Sequence, residues 1–498
     1  MIVKDTDSTS LEEYFETYRK NIIGYNQPFE TPYGSKKIIY ADWTASGRLY
    51  NPIEEKITKE IGPFVGNTHT ESTITGTLMT NAYQKSHSLI KKHVNALETD
   101  VIITEGSGMT GVINKFQRIL GLRIPERVGS KFEIPSEEKP VVFVSHMEHH
   151  SNHTSWLETI ADVECLMPNE AGLIDLDYLK DILKKYESRK LKIASITACS
   201  NVTGIRTCYE DVAVVMHQNG GLCFVDFACS APYVTIDMHP QNPLAKLDAI
   251  YFSPHKFLGG PGASGVLIFD ASLYSNAIPD EPGGGTVAWT NPWGGRKYLE
   301  DIEFREDGGT PAFLQTIKAA MAIQLKEEMG VGKMLKREEE LVELLLEELG
   351  CIDGLHLLAE EHKNRLGVIS FHIDNLHYDL ATKILNDKFG IQTRSGCSCA
   401  GTYGHYLFHI SKEESQQITH EIDQGNYLEK PGWIRLSIHP VMTNKEIDLI
   451  IEAIRQLVKN HQQWESDYTY EVRSNTFSHN RPHRFAEKKV EEWFDSLI

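Results

Sequence analysis

The sequence predicts an α/β fold: a large domain built on a mainly parallel sheet, followed in the chain by a smaller α+β domain. Three observations predict it. Six short apolar runs of strand length alternate with helical stretches between residues 101 and 269; strands alternating with helices imply parallel crossovers and a sheet covered on both faces. The stretch Gln315–Gly350 is strongly helical with one interruption at Gly330-Val331-Gly332, and its first half reads as the connector into a second lobe. At 498 residues the chain is also long for one core, so two or three lobes are expected.

Taken in order, residues up to about Lys36 form an amphipathic start, with a helix around Leu11–Ile23 and then a loop. Ile38–Ala41 is a short strand leading into Asp42-Trp43-Thr44-Ala45-Ser46-Gly47-Arg48, and Asn81–Leu97 has a helical pattern. The strands expected in the sheet are Val101–Thr104, Val141–Ser145, Ile193–Ala198, Leu222–Asp226, Ala249–Phe252 and Gly265–Phe269. The smaller lobe shows a strand at Gly367–Ile373, a helix at Tyr378–Phe389, a strand at Trp433–Ile438 and a helix at Asn444–His461. A polar and aromatic tail ends in an amphipathic helix over 485–498. These features divide the chain into an N-terminal arm (1–36), a large domain (37–315), a small domain (316–465, with a contribution from the N-terminal segment) and an extension (466–498).

The apolar fraction of 41% and charged fraction of 24% are those of an ordinary globular protein. A net charge of −19 argues against a nucleic-acid or anionic-membrane partner. No run of about 18 apolar residues is present, and the polar, acidic N-terminus lacks the pattern of a signal peptide. The eight cysteines are scattered, with Cys223 inside an expected strand and Cys199 and Cys229 just beyond the ends of two. That pattern suits a reducing cytoplasm better than a disulfide framework.

The chemistry centres on Tyr251–Gly265, where His255 and Lys256 follow a buried strand and precede a Gly-rich turn. A lysine at a strand end, walled by Tyr251, Phe252 and Phe257, loses hydration; this favours the neutral amine that condenses with carbonyls. Upstream, the strand Leu222–Asp226 ends in Asp226. An amine and a carboxylate at two strand ends suit pyridoxal 5'-phosphate, whose aldehyde needs the first and whose ring nitrogen needs the second. Ile103–Asn114 reads as strand, Gly/Ser/Thr turn and helix start. It offers backbone N–H groups around Ser107 and Gly108, and the Thr110 hydroxyl, to a phosphate. Ser253 and His255 add further contacts beside Lys256.

Four histidines lie within Ser145–Trp156. A zinc site would want a distant second ligand set, which the spacing does not supply. His149 is instead read as stacking its flat ring on a planar cofactor, the alternative being a satisfied structural histidine. Asn201, just past Ile193–Ala198, could donate to the phenolic oxygen of such a ring or simply occupy a turn. Arg435 interrupts an apolar strand and needs an anion, either a substrate carboxylate or a protein one. Cys397 and Cys399 stand in a Gly-rich polar loop beside Arg394, where a thiol can be activated; a redox pair, half of a metal site and two idle thiols are the competing readings.

Taken together and in this order, the segments resemble the class V aminotransferase family of pyridoxal-phosphate enzymes, in its cysteine desulfurase/selenocysteine lyase-like branch, from about Ile38 to Leu457. The resemblance implies fold type I, with a mainly parallel seven-stranded sheet in the large domain. It implies that Lys256 (in Ser-Pro-His-Lys) binds the cofactor aldehyde, Asp226 (in Val-Asp-Phe-Ala) pairs with its ring nitrogen, and His149 stacks on the ring as a catalytic residue. Ser107, Gly108, Thr110, Ser253 and His255 would hold the phosphate, and Asn201 would touch the ring oxygen or substrate. Thr310 (in Gly-Gly-Thr-Pro) would reach the phosphate of a partner subunit, implying a homodimer. Arg435 (in Ile-Arg-Leu-Ser) would bind the substrate carboxylate. Cys399 falls where the desulfurases carry their persulfide-forming cysteine. The activity implied is removal of sulfur from L-cysteine through an external aldimine and a Cys399 persulfide, with release of alanine and transfer of the sulfur to a possible acceptor protein. The alternative is an aminotransferase, lyase or epimerase of the same fold without persulfide chemistry; a different class altogether is a cofactor-free scaffold that kept the fold. Two departures from the family pattern are Cys229, where a Gln is usual three residues past the aspartate, and Cys-Ser-Cys where many relatives have His-His-Cys. The segment 401–430 is unusually elaborate, and the tail beyond about Ser466 lies outside the resemblance.

Overall fold

A computed structural model of the chain describes residues 10–129, 134–428, 430–472 and 474–495. The chain divides into two compact units, a larger one comprising 46–200 and 206–331 and a smaller one comprising 1–45, 201–205 and 332–498.

The larger unit is organised by a seven-stranded sheet. Its strands are β1 (Val101–Glu105), β2 (Val141–Ser145), β3 (Asp162–Leu166), β4 (Lys192–Thr197), β5 (Leu222–Asp226), β6 (Ala249–Phe252) and β7 (Gly265–Phe269), in the order β1-β7-β6-β5-β4-β2-β3. Neighbours from β3 through β6 pair in parallel. β7 runs antiparallel to both β6 and β1. The reason is its connection: only Ser253–Ser264 separates it from β6, with a single 3-10 turn at Pro254–Lys256 and no crossover helix. The six expected strands are all present within one residue of their expected ends. The seventh, β3, escapes sequence reading because it is an edge strand whose Asp162 and Glu164 interrupt the apolar pattern.

Central strands β2, β4 and β6 are buried at every residue. The helix Met109–Ile119 packs against the sheet through Met109, Val112, Ile113, Phe116 and Ile119, spaced three or four apart. The Phe116 ring lies 5.1 Å from Phe224 and 4.9 Å from Phe269. This packing fixes where that helix begins. The expected helical break is realised: one helix, Phe313–Met329, ends on Gly330 at φ +77°, and Val331–Gly350 follows.

The smaller unit carries an antiparallel four-stranded sheet of β8 (Leu355–Leu357), β9 (Val368–Ile373), β10 (Arg394–Gly396) and β11 (Trp433–Ser437), in the order β8-β9-β11-β10. The two expected strands are its centre; the two missed ones are three residues long and hold the edges. The helix expected over 378–389 runs as Tyr378–Ile384 and closes in a π turn, Leu385–Phe389. The helix expected over Asn444–His461 extends to Glu465 behind a Thr443/Glu446 capping box. At the N-terminus, Leu11–Tyr14 and Glu16–Lys20 replace the single helix expected to Ile23. Burial of Phe15 at the break, and of Ile22, outweighs continuity in so short a helix.

The segment 401–430 contributes helices Gly401–Leu407 and Lys412–Asp423. The tail forms a hairpin, Tyr468–Glu471 with Thr476–His479, and a helix Phe485–Asp495; residues 496–498 of the helix expected there lie outside the described residues. Within this unit Tyr33 donates to Asp467 (2.6 Å), Tyr468 donates to Asp387 (3.2 Å), and the Phe485 ring lies 6.3 Å from Phe29. Among the described residues no helix is long and apolar enough to cross a membrane.

Candidate active site

The candidate residues fall into two sets, one in each unit. In the larger unit β5 and β6 are neighbours, with Asp226 opposite Tyr251 in register. Lys256 comes five residues later, half-buried at the end of the 3-10 turn. Asp226 is 3% exposed, and its Oδ1 accepts the Ala228 N–H at 2.8 Å. Burial pushes the Asp226 carboxyl up to about 6, with the Ala228 N–H and the charge on Lys256 pulling it down. The amine and the carboxylate therefore feel each other's charge. Burial, with the Lys256 charge adding to it, holds His255 down to about 4, so its ring is neutral at pH 7.

A second acid lies within electrostatic reach of Asp226. Glu148 is fully buried, which pushes its carboxyl up to about 8; the Ser145 hydroxyl, Asn152 and the Thr197 N–H oppose that shift, and the Asp226 charge adds to it. Its Oε1 accepts the Thr197 N–H at 2.8 Å and its Oε2 accepts from Asn152 at 2.7 Å. Protonated at neutral pH, Glu148 leaves Asp226 the negative charge of the pair. Tyr251, read from the sequence as a wall for Lys256, is fully buried and donates its hydroxyl to Asn152 Oδ1 at 2.8 Å.

The turn after β1 meets the turn after β6. Met109 N–H donates to Ser253 Oγ at 2.8 Å. Gly108, the N-cap of the helix Met109–Ile119, supplies no side-chain cap. A Cβ on Gly108 would stand 3.1 Å from Ser253 Oγ and 3.5 Å from His255 Nε2. One on Gly265 would stand 2.3 Å from Gly108 O, so a glycine there lets the turn sit close against β7. Exposed Ser107 and Thr110 flank this cradle, and Thr110 Oγ1 lies 2.7 Å from Ser151 Oγ. A helix N-terminus with hydroxyl and imidazole donors gathered around it suits a phosphate. The donor set and the space kept by Gly108 thus fit the phosphate of pyridoxal 5'-phosphate, and the Lys256/Asp226 pair fits its ring.

His149 caps the helix His150–Leu157, its Nδ1 accepting the Ser151 N–H at 3.1 Å. That bond places the ring proton on Nε2. Cys229 is buried with its Sγ 4.0 Å from Cys199 Sγ. Thr310 is exposed in the bend after Gly309.

The smaller unit brings together Asn201, Arg435, Cys397 and Cys399, with Asp42 and Arg394. Asn201 is 6% exposed; its Nδ2 donates to Ser398 O at 2.8 Å, while its buried Oδ1 has no hydrogen-bond partner among the described residues. Arg435 is 3% exposed, donating from Nη1 to Asn201 O at 3.1 Å and from Nη2 to Asp42 Oδ1 at 2.9 Å. Of the two anions considered for Arg435, the protein carboxylate is thus the one seen, and its Nε has no hydrogen-bond partner among the described residues. Arg394 donates to the same carboxylate from Nε and Nη2. Burial works against the Arg394 charge, but its bond to Asp42, with Tyr40 and Cys399 adding, holds its pKa above the ordinary value.

Cys399 is exposed and sits at φ +57° directly after Ser398 at φ +49°. Two consecutive non-glycine residues in the left-handed region are costly and need holding. The hold comes from Ser398, whose carbonyl takes the Asn201 amide and whose Oγ takes the Trp433 indole N–H at 3.1 Å. Two residues of these sets were not singled out from the sequence. Asp42 had only its place just past a strand as a signal, and Glu148 only its place ahead of two histidines.

A family model described as Aminotransferase class-V matches residues 39–450. The chain is 28% identical over 433 residues to a probable cysteine desulfurase of Staphylococcus epidermidis, covering 86% of this chain and 94% of that one. It is 26% identical over 427 residues to a probable cysteine desulfurase of Staphylococcus aureus, covering 84% and 92%. Among solved structures, the fold is similar to an apo cysteine desulfurase from Thermococcus onnurineus, with a TM-score of 0.71 and 22% identity over 89% of this chain and 98% of that one. It is also similar to the cysteine desulfurase CsdA of Escherichia coli, with a TM-score of 0.67 and 21% identity over 84% and 94%.

Proposed function

The chain belongs to the class V aminotransferase family, and on that premise we propose that it is a pyridoxal 5'-phosphate-dependent cysteine desulfurase. The observation that carries the proposal is placement: Asp226 ends β5, Lys256 follows the end of the neighbouring β6 closely enough for its charge to act on that carboxyl, and both stand in the unit that holds a cradle for phosphate. When bound, the cofactor supplies an electron sink for the carbanion that loss of the substrate Cα proton creates.

Each residue then has a defined task. Lys256 would hold the cofactor's aldehyde end, and its amine would move the proton at the substrate Cα. Asp226 keeps a proton on the ring nitrogen, and the charge it needs is secured by Glu148 remaining protonated. His149 covers the ring, with Nε2–H positioned by the Ser151 bond to Nδ1. Ser107, Gly108, Thr110, Ser253 and His255 bind the phosphate, and the Asn201 amide addresses the ring oxygen or the substrate. Arg435 binds the substrate carboxylate, Asp42 orienting its guanidinium through Nη2. The Cys399 thiolate takes the sulfur: an S–S bond forms at Sγ as the substrate's Cβ–S bond breaks, leaving a persulfide on the protein and alanine in solution. The persulfide then passes to an acceptor protein.

The same reading makes the protein a cytoplasmic homodimer with Thr310 serving the partner's phosphate and with no nucleic-acid or membrane partner. None of the eight cysteines, all of them among the described residues, is joined in a disulfide, which supports the cytoplasm. On this reading the functional divisions are the arm 1–36, a cofactor domain 37–315, a small domain 316–465 and the extension 466–498, whereas the compact units of the fold change over at 45/46 and 331/332. The test is a product assay with L-cysteine. The wild type should release alanine together with protein-bound sulfur, and Cys399→Ala should lose both while keeping its cofactor absorption band. Turnover undisturbed by Cys399→Ala would instead favour an aminotransferase, lyase or epimerase.

A further inference from the structure

Away from the residues above, the edge of the small sheet gathers three side chains of metal-ligating type. β8 is the edge strand, and His356 on it stands directly opposite His372 on β9. Asp374, two residues past His372, lies on the same face of the pleat. It is opposite Gly354, to whose carbonyl it donates its N–H at 2.9 Å. Gly354 is at φ +82°, and a Cβ there would make ordinary contact with Asp374 Oδ2 at 3.7 Å, which puts that carboxylate over the start of β8.

One ligand atom each from His356, His372 and Asp374 falls within 4.8 Å of the other two. His356 Nε2 is 2.9 Å from Asp374 Oδ1. The two imidazoles stack with centroids 4.7 Å apart, tilted by 23°, and Phe408 backs His372 at 5.6 Å. Around a tetrahedral ion with bonds of about 2.0–2.1 Å, neighbouring ligand atoms lie about 3.4 Å apart. The ligand atoms are therefore within roughly 1.5 Å of tetrahedral spacing; because imidazole lone pairs lie in the ring plane, closing also turns exposed His356 out of its stack on His372, with exposed Asp374 following. Two imidazoles and one carboxylate make a borderline donor set that suits zinc and its neighbours rather than calcium or magnesium, with water completing the shell.

We propose that His356, His372 and Asp374 bind one zinc-class divalent ion, which clasps the edge strand β8 to β9. The ion acts as a cross-link on the sheet and does no chemistry on substrate. Because Cys397 and Cys399 are also soft ligands, the test must tell the two locations apart. The purified protein with its cofactor is titrated with Zn2+ against a chromogenic chelator, as wild type, as His356→Asn/His372→Asn, as Asp374→Asn and as Cys397→Ser/Cys399→Ser. The double-histidine variant should bind one equivalent less than wild type, the double-cysteine variant should keep that equivalent, and Asp374→Asn should bind it at least ~10-fold more weakly. Added Zn2+ should raise the melting temperature of the double-cysteine variant as it does that of the wild type, and raise that of the double-histidine variant less. Equal stoichiometry and affinity in wild type and double-histidine variant would overturn the proposal. Should that variant fail to fold, unchanged affinity in Asp374→Asn overturns it equally.

Discussion

Asp226 shows how a single residue carries opposite demands of folding and function. Its carboxyl is held at about 6 against an ordinary value of 3.8, chiefly by burial. The native state therefore binds that proton more tightly than the unfolded chain does. In cofactor-free protein its contribution to stability is fully present below about 3.8 and is lost as the pH rises through about 6. Asp226→Asn removes the buried charge while keeping the shape. In thermal or urea unfolding of the cofactor-free protein it should gain on the order of 2–3 kcal/mol at about pH 7.5, at ~1.4 kcal/mol per pKa unit, and the gain should vanish near pH 4. In cofactor-loaded protein the same change should abolish turnover. A variant no more stable than wild type at neutral pH would mean that Asp226 is paired there and not stranded. His255 and Glu148 follow the same physics, burial leaving each neutral at pH 7 beside a charged neighbour.

Among elements, the start of the helix Met109–Ile119 has the clearest consequence. Its position is set by apolar packing far from its tip, through Phe116 on Phe224 and Phe269. Its tip is held by Ser253 and left open by Gly108. Gly108 lies at φ 172°, an extended conformation any residue adopts, so its value lies in the room it leaves. Gly108→Ala should weaken pyridoxal 5'-phosphate binding at least ~10-fold in equilibrium dialysis while changing unfolding stability by less than ~1 kcal/mol. A loss of stability with binding intact would show that this turn serves packing alone. The loop at Ser398-Cys399 is the counterpart in the smaller unit: strained backbone held by Asn201 and Trp433, at the residue proposed to carry sulfur.

At the scale of the whole molecule, the homodimer reading makes a sharp prediction. If Thr310 serves the partner's phosphate, then Lys256→Ala and Thr310→Ala chains, each impaired alone, should regain activity on mixing and subunit exchange. The hybrid holds one site with both native residues, so about half of wild-type turnover per dimer is the ceiling. No recovery in demonstrated heterodimers would place Thr310 in its own subunit's site. The amino-acid sequence by itself was enough for the fold class, six of the seven sheet strands and the break at Gly330. These rest on local signals: continuous apolar runs for buried strands and glycine where helices stop. It also named candidate site residues, most of them as polar residues at strand ends, with Thr310 and the role of Cys399 coming from the family resemblance. Only the tertiary structure decided the rest. The edge strand Asp162–Leu166 is half-buried, so its sequence carries charge and hides its pairing. Asp42 joins Arg394 and Arg435 across more than 350 positions, and Glu148 owes its proton to burial. His356 and His372 stand 16 positions apart, and only the pairing of β8 with β9 makes them neighbours. Local pattern dictates which elements form, whereas charge, burial and ligand geometry depend on which distant residues those elements bring together.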